Sequence, residues 1–260
     1  MTHVARETLL ASLKAGMHLD GRPLAAYRPI TVTTDISYSA EGSARVVVGE
    51  TDVIVGVKLA IEKPYPDTPG RGNLMVNAEL RPMSNPRFEP GPPGEEAVEV
   101  ARVVDRGIRE GGALHAEELC ISPGKQVWSV MIDICTVNVA GGLIDAAGLG
   151  ALAALLHSKF PEHTDDIVHY DKRTNKKLPI GTQPLPVTVF KIGDFFMVDP
   201  LPEEEAHMDA RLTIAITEHD TICALQKGGS IPLTKDDIHE MVKIALKSSH
   251  ELRKNIPRQK

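Results

Sequence analysis

The sequence predicts an α+β fold built from two related sheet-plus-helix halves, and three observations predict it. Short runs rich in branched residues cluster twice, from Pro29 to Leu80 and from Val187 to Leu225, which is strand composition punctuated by turn residues. Helical spacing follows each cluster, over Glu95 to Gly111 and again after Thr234. A polar, basic stretch from Pro161 to Pro186 separates the two blocks and predicts a surface connection. The expected organisation is therefore 1–163 for an N-terminal extension with the first half, 164–186 for the connection and 187–260 for the second half.

His3 to Ala15 places Val4, Leu9, Leu10 and Leu13 loosely on one side of a helix, which Gly16 stops. Asp20-Gly-Arg-Pro is a turn. Ile30-Thr-Val-Thr-Thr, Ala44-Arg-Val-Val-Val, Val53-Ile-Val-Gly-Val-Lys-Leu and Leu74-Met-Val-Asn-Ala predict strands of one antiparallel sheet. Two proline-rich loops, 64–72 and 82–94, can continue neither a helix nor a central strand. After the helix from Glu95, Leu119 to Ala140 is strand-rich, and small residues from Ala146 to Phe160 form a helix that closes the first half. In the second block Val187-Thr-Val-Phe-Lys-Ile, Phe195-Phe-Met-Val, Arg211-Leu-Thr-Ile-Ala-Ile and Thr221-Ile-Cys-Ala-Leu are strands. The last helix opens at Thr234 with Asp237 three residues on, and carries Ile238, Met241, Val242, Ala245, Ser249 and Leu252 on one face. Gly49-Glu-Thr-Asp-Val-Ile-Val and His219-Asp-Thr-Ile-Cys-Ala-Leu echo one another as turn-then-strand segments, too briefly to establish a repeat.

Hydrophobic residues at 42% and charged residues at 25% exclude collagen-like, coiled-coil and wholly disordered chains. At 260 residues the chain can bury about three quarters of its unfolded surface, enough core to need no metal or disulfide. The longest uncharged apolar run, near Ala146 to Leu156, is far short of the roughly 20 residues that cross a bilayer. The N-terminus has no apolar signal core, so a cytoplasmic protein is expected. Cys120, Cys135 and Cys223 are widely spaced with no Cys-x-x-Cys pair, which suits reduced core thiols and no zinc site. A net charge of -6 argues against general coating of nucleic acid, so a polyanion must meet a local patch.

The helix from Glu95 supplies such a patch. At 100° per residue Ala97, Val100, Ala101, Val104 and Ile108 share one face, and Arg102, Arg106 and Arg109 lie within about 60° of each other on the opposite one. Two readings are open. Local ion pairs are available between Glu99 and Arg102, Asp105 and Arg109, and Arg106 and Glu110. Each is worth about 0.2–0.5 kcal/mol, which the like charges at Arg102 and Arg106 offset. Alternatively, guanidinium forks one turn apart grip successive backbone phosphates. Few aromatics (4%) suit a backbone grip better than base stacking.

Other constellations fail on spacing. Gly148-Leu-Gly150-Ala-Leu-Ala153 fits a variant dinucleotide fingerprint, with Asp171 about 20 residues later. Residues 141–147 separate it from the last strand, however, so close packing of helix on sheet explains the glycines more simply. Gly124-Lys125 ends no Walker loop, and no Gly-x-Ser-x-Gly or His-Glu-x-x-His occurs. His163, Asp165, Asp166 and His169 resemble a ligand cluster but fall in the polar connection. Asp199 and Glu203 to Glu205 could be acid/base carboxylates, yet such a run in a proline-rich corner predicts a solvated charge cluster. No metal or cofactor is expected.

Six motifs point further: Asp20-Gly-Arg22, Gly42-Ser-Ala-Arg-Val-Val-Val-Gly-Glu-Thr-Asp-Val53, Tyr65-Pro-Asp-Thr-Pro, Phe88-Glu-Pro-Gly-Pro-Pro, Val98-Glu-Val-Ala-Arg-Val-Val-Asp-Arg106 and Pro123-Gly-Lys-Gln-Val-Trp128. Together they resemble the RNase PH family, and within it the non-catalytic RNase PH-like ring subunits of the archaeal exosome, over most of the chain. The resemblance implies an RNase PH-like fold of two βαβα-type halves. It implies a hexameric ring of three heterodimers with a catalytic RNase PH-like paralogue, around a channel for single-stranded RNA, with RNA-binding cap proteins as further partners.

The resemblance also marks departures. Catalytic members carry an Asp-Gly-Gly-Thr-Arg-Thr-like phosphate-binding run where this chain has Asp145-Ala-Ala-Gly-Leu-Gly150, and Glu205 and Arg211 stand where they place two aspartates. Phosphorolysis needs a phosphate dianion held in line for attack, so the departures imply a subunit that is no enzyme by itself. Arg102 and Arg106 match positions that in this subunit type reach the RNA backbone; Arg109 shares their stripe, with Asp105 as a competing partner. Two other classes stay open: an active phosphate-dependent 3′–5′ exoribonuclease using Glu205, and a nucleotide-cofactor enzyme using Gly148 to Ala153.

Overall fold

The computed structural model describes residues 3–164 and 167–257. After α1 (His3–Lys14), the branched runs form β1 (Ile30–Thr34), β2 (Gly42–Val48), β3 (Thr51–Glu62) and β4 (Asn73–Glu79). Then come α2 (Glu95–Glu110), β5 (Cys120–Ser122), β6 (Gln126–Asn138) and α3 (Leu143–Leu156). The remainder is β7 (Lys159–Thr164), β8 (Ile167–Lys177), β9 (Leu185–Ile192), β10 (Phe195–Val198), α4 (Pro202–Glu205), β11 (Ala210–Ile216), β12 (Ile222–Gly228) and α5 (Lys235–Arg253). Among the described residues, no helix is long and apolar enough to cross a membrane.

The first sheet has the order β1-β2-β3-β6-β4, with β5 also on β6, and the second the order β10-β9-β11-β12. The expectation of one antiparallel sheet over 30–80 holds for β1 to β3 and fails for β4, which pairs parallel to β6. The proline loop and α2 lie between those two strands and carry the chain across the sheet, so β6 starts from the same end as β4. The second sheet is antiparallel throughout.

Helix α3 begins three residues earlier than its spacing predicts and ends at Leu156, leaving Phe160 to β7. Every one of its residues is buried, because it touches β2 and β3 on one side and β9 on the other. A helix that is apolar all round needs such a place. Two glycines allow the approach: a Cβ on Gly150 would stand 2.7 Å from Val55 Cγ2, and one on Gly148 would stand 2.1 Å from Pro186 Cγ. Fully buried Leu149, Leu152 and Leu155 each contribute about 1.5–3 kcal/mol.

The stretch expected to be an irregular connection is instead a β7–β8 hairpin with two register shifts. Its strands are mostly exposed on both faces, so they lack the apolar alternation that marks a strand in sequence. The hairpin is tied down where Thr174 Oγ1 donates to the Phe160 carbonyl at 2.7 Å and Arg173 to that of Ala40 at 2.6 Å. Asp165 and Asp166 lie outside the described residues. His163 packs edge-on to Trp128 at 5.3 Å, opposite Val168 in register.

Helix α1 buries Leu9 and Leu13 against Phe190, Ile192 and Met197 of the second sheet. Helix α5 packs on β9 and β11, with Met241, Ala245, Ser249 and Leu252 buried as its spacing predicts and Ile238 left exposed. Its start is a reciprocal cap: Asp237 N–H donates to Thr234 Oγ1 at 3.1 Å and Thr234 N–H to Asp237 Oδ2 at 2.9 Å. The Lys191 ammonium 2.6 Å away, helped by that cap, holds the Asp237 carboxyl down to about 2.

The acidic corner is not a solvated run. Asp199 and Glu204 are buried, because each meets a partner far away in sequence. Glu204 accepts from His18 Nδ1 at 2.7 Å and from the Leu19 and Leu201 amides. Asp199, in the left-handed region at φ 48, accepts from Arg28 Nη2 at 2.6 Å, Arg28 Nε at 2.9 Å and the Arg28 amide at 2.7 Å. The same guanidinium donates to the carbonyls of Ala140 and Gly141. The three cysteines are free, as expected, but half-buried instead of in the core.

Asp199→Ala would leave the buried Arg28 charge without its carboxylate, and is expected to cost about 3–5 kcal/mol. Thr234→Ala, which removes only the α5 cap, should cost about 1 kcal/mol. Urea unfolding followed by Trp128 fluorescence measures both.

Candidate nucleic-acid interface

Pro92-Pro93-Gly94 cannot extend α2 upstream, so the helix starts at Glu95 with Glu95 and Glu96 in its first turn and Arg109 in its last, which suits the helix dipole. It buries Ala97, Val100, Val103, Val104, Gly107 and Ile108. That stripe is wider than the sequence predicts, because α2 touches β4 and α3 on one side and β11 and β12 on another. Gly107 makes the second contact close: a Cβ there would lie 3.4 Å from Ala215 Cβ.

The three arginines of the outer stripe have different surroundings. Arg109 is engaged: Asp105 accepts from its Nη2 at 2.7 Å and its Nε at 3.1 Å, and the Leu74 carbonyl accepts from Nη2. That pairing raises the Arg109 pKa further. Arg106 is half-buried and points across to β12, with Nη1 3.4 Å from Gln226 Oε1, a long contact, and no bond to Glu110. Arg102 is exposed and forms no hydrogen bond or ion pair with a described residue. Its expected partner, Glu99, is taken by Arg211 of β11, with Nη2 2.6 Å from Oε2. Arg102 lines an open groove of about 570 Å³ with Glu95, Val98, Glu99, Val103 and Gln226.

Sequence reasoning found the stripe and missed Arg211 and Gln226 as its neighbours. They lie 112 and 120 residues away from the groups they touch, and no spacing rule reaches that far.

Asp145 to Gly150, the run that the resemblance compares with a phosphate-binding one, lies buried in the first half of α3. No hydroxyl or guanidinium projects from it, and Gly148 and Gly150 sit mid-helix, not at a strand-ending turn as a dinucleotide fingerprint requires. Asp171 lies in β8. Asp145 itself is structural: the Thr188 amide and the Tyr27 hydroxyl donate to it at 2.9 and 2.7 Å. Burial pushes its carboxyl up to about 7 against those hydrogen bonds, and burial beside Asp145 pushes the Tyr27 phenol well above its ordinary range.

Glu205, at the end of α4, is half-buried, and burial raises its carboxyl while the nearby Arg211 lowers it. A wider groove of about 730 Å³ between β4 and the proline loop carries Arg81 and Arg87. Glu79 and Glu96 sit 2.9 and 3.7 Å from those guanidinium groups, so both cations there have an acidic neighbour.

Residues 26–161 match the model of the 3′ exoribonuclease family, domain 1, and residues 182–248 that of domain 2. The chain belongs to this family, that of RNase PH, as its motifs imply. Among curated relatives, the exosome complex component Rrp42 of Methanopyrus kandleri is 41% identical, over 100% of this chain and 98% of its own length. That of Thermococcus gammatolerans is 44% identical over 98% and 94%. Among solved structures, a chain of the Archaeoglobus fulgidus exosome with RNA bound to the active site matches at TM-score 0.91 and 38% identity, over 98% of both chains. A chain of an archaeal exosome core matches at 0.86 and 36%, over 97% and 96%. Rice Rrp46, at 17% identity and TM-score 0.68, shares the fold. The RNase PH-like α+β fold expected from the sequence is the one observed.

Asp145 gives the protein a pH signature. Its carboxyl titrates at about 7 in the folded chain and at about 3.9 when unfolded. Between those values the folded chain keeps a proton that the unfolded chain has released, so this group's contribution to stability falls as pH rises, by about 1.4 kcal/mol per pH unit. Asp145→Asn, which can still bond Thr188 and Tyr27, should lose that slope. Its stability advantage over the parent is expected to grow from pH 4 to 7 and then level off, as read by urea unfolding at each pH.

Proposed function

We propose that this chain is a catalytically silent ring subunit of an archaeal-type exosome, which grips single-stranded RNA beside the active site of a phosphorolytic 3′–5′ exoribonuclease paralogue. Its partner is that catalytic RNase PH-like chain, in a cytoplasmic hexameric ring of three heterodimers to which RNA-binding cap proteins attach. The full-length similarity to Rrp42 components and to exosome chains supports the assignment.

The observation that carries the reading is a split between two places in the fold. The run that should hold attacking phosphate is buried helix without a phosphate ligand, while Arg102 presents an unpaired guanidinium to an open groove. Phosphorolysis is in-line attack by phosphate, so a chain without the phosphate seat lacks a positioned nucleophile. A free guanidinium fork next to a half-free one at Arg106 is suited to successive phosphates of an RNA backbone. Arg109, committed to Asp105, adds positive charge to the stripe without a free fork. The overall charge of -6 leaves the rest of the positive field to partner chains.

The test is phosphate-dependent shortening of a 5′-labelled oligo(A) by this chain, its paralogue and their mixture. The chain alone should be inactive and the mixture active. Arg102→Glu with Arg106→Glu should still assemble and should slow degradation about 10- to 100-fold, the size of one lost charged hydrogen bond. Shortening by this chain alone would make Glu205 a working acid and sink the silent assignment.

A further inference from the structure

Arg211 of the second sheet, which the resemblance sets where catalytic members have an aspartate, has a built seat for its side chain. On β11 it pairs in register with Gly228 of β12. A Cβ on Gly228 would stand 2.7 Å from Arg211 Cζ and 2.8 Å from Nη1, so the absence of a side chain there lets the guanidinium lie across the neighbouring strand. From that seat it holds Glu99 at 2.6 Å, with only 13% of the Arg211 side chain exposed.

Glu99 and Arg102 stand three residues apart on α2, the spacing at which a helix pairs opposite charges. Two arginines therefore compete for one carboxylate. Arg211 lies mostly buried across Gly228, so it loses less rotamer freedom on pairing than an exposed side chain does. Arg102 is exposed and would have to order a long side chain to make a screened surface pair. Arg211 wins, and since Asp105, the acid three residues beyond Arg102, is held by Arg109, Arg102 keeps no acidic partner.

We propose, resting on the assignment of Arg102 to RNA made above, that Arg211 is a positioning residue: by holding Glu99 it keeps the Arg102 guanidinium free for a backbone phosphate. Without Arg211, Glu99 turns back to Arg102 and competes with the phosphate.

The test measures oligo(A) affinity of the reconstituted ring by fluorescence anisotropy without phosphate, across a salt titration, with assembly checked by size exclusion. Arg211→Gln should weaken binding roughly two- to five-fold, the strength of the surface pair it allows. The slope of log affinity against log salt should fall by up to about 0.7, one phosphate contact on a single strand. Gly228→Ala, which displaces the guanidinium and changes no charge, should shift both readings the same way. Glu99→Gln, whose carboxylate Arg211 already holds in the parent, should bind at least as tightly as the parent, and Glu99→Gln with Arg211→Gln should restore the parent's affinity.

Two results overturn the proposal while leaving Arg102 in its role: Arg211→Gln binding like the parent when Arg102→Gln does not, or a double variant no better than Arg211→Gln. If Arg102→Gln binds like the parent, the RNA assignment of Arg102 fails, and with it the role of Arg211. Should Arg211→Gln not assemble, Gly228→Ala and Glu99→Gln decide the question alone.

Discussion

Arg28 and Asp199 meet in the interior, and the arrangement of the two halves depends on their ion pair. Arg28 precedes the first strand, and Asp199 follows β10 of the second sheet. The guanidinium spends its remaining donors on the Ala140 and Gly141 carbonyls, at the turn that feeds α3. Gly141 is forced there twice, by φ 84 and by the Pro200 carbonyl 2.2 Å from where its Cβ would be. One buried charge pair therefore fixes the entry of the central helix and the joint between the sheets. Such a pair stabilises little relative to an apolar substitute, but losing either member is severe, which makes it a device for a unique geometry.

From that frame α3 is set between the sheets, and its burial decides the chemistry. A helix packed on both sides has room for Ala and Gly and none for exposed hydroxyls or guanidinium groups. Asp145 remains as its one ionisable side chain, held for packing by Tyr27 and Thr188. The same residues that complete the core put no hydroxyl or guanidinium on α3.

Helix α2 lies beside α3 and has one face left over. Its three outward arginines have equal helical credentials and unequal neighbours. Asp105, three residues from Arg102, is captured by Arg109 within the helix, β12 offers Arg106 a long contact, and Arg211 of β11 takes Glu99, the other carboxylate at Arg102's helical spacing. A free cation in an acidic chain is thus a product of packing, since packing decides which acids are already occupied.

The sequence by itself determined the two sheet-plus-helix blocks, the N-terminal cap of α5, the small-residue helix that follows the first sheet and the arginine stripe. All of these follow from residues a few positions apart, where strand alternation and helical spacing fix who faces whom. Only the tertiary structure decided that β4 runs parallel to β6, that the basic connection is a hairpin, that Asp199 and Glu204 are buried and that Arg211 holds Glu99. The burial of Asp199 and Glu204 and the Arg211–Glu99 pair depend on partners more than a hundred residues apart, the β4–β6 pairing on strands 56 residues apart, and the hairpin on a pairing that its exposed residues do not signal. Local periodicity carries no record of them, because it sets a side chain's direction and leaves open what is packed there to meet it.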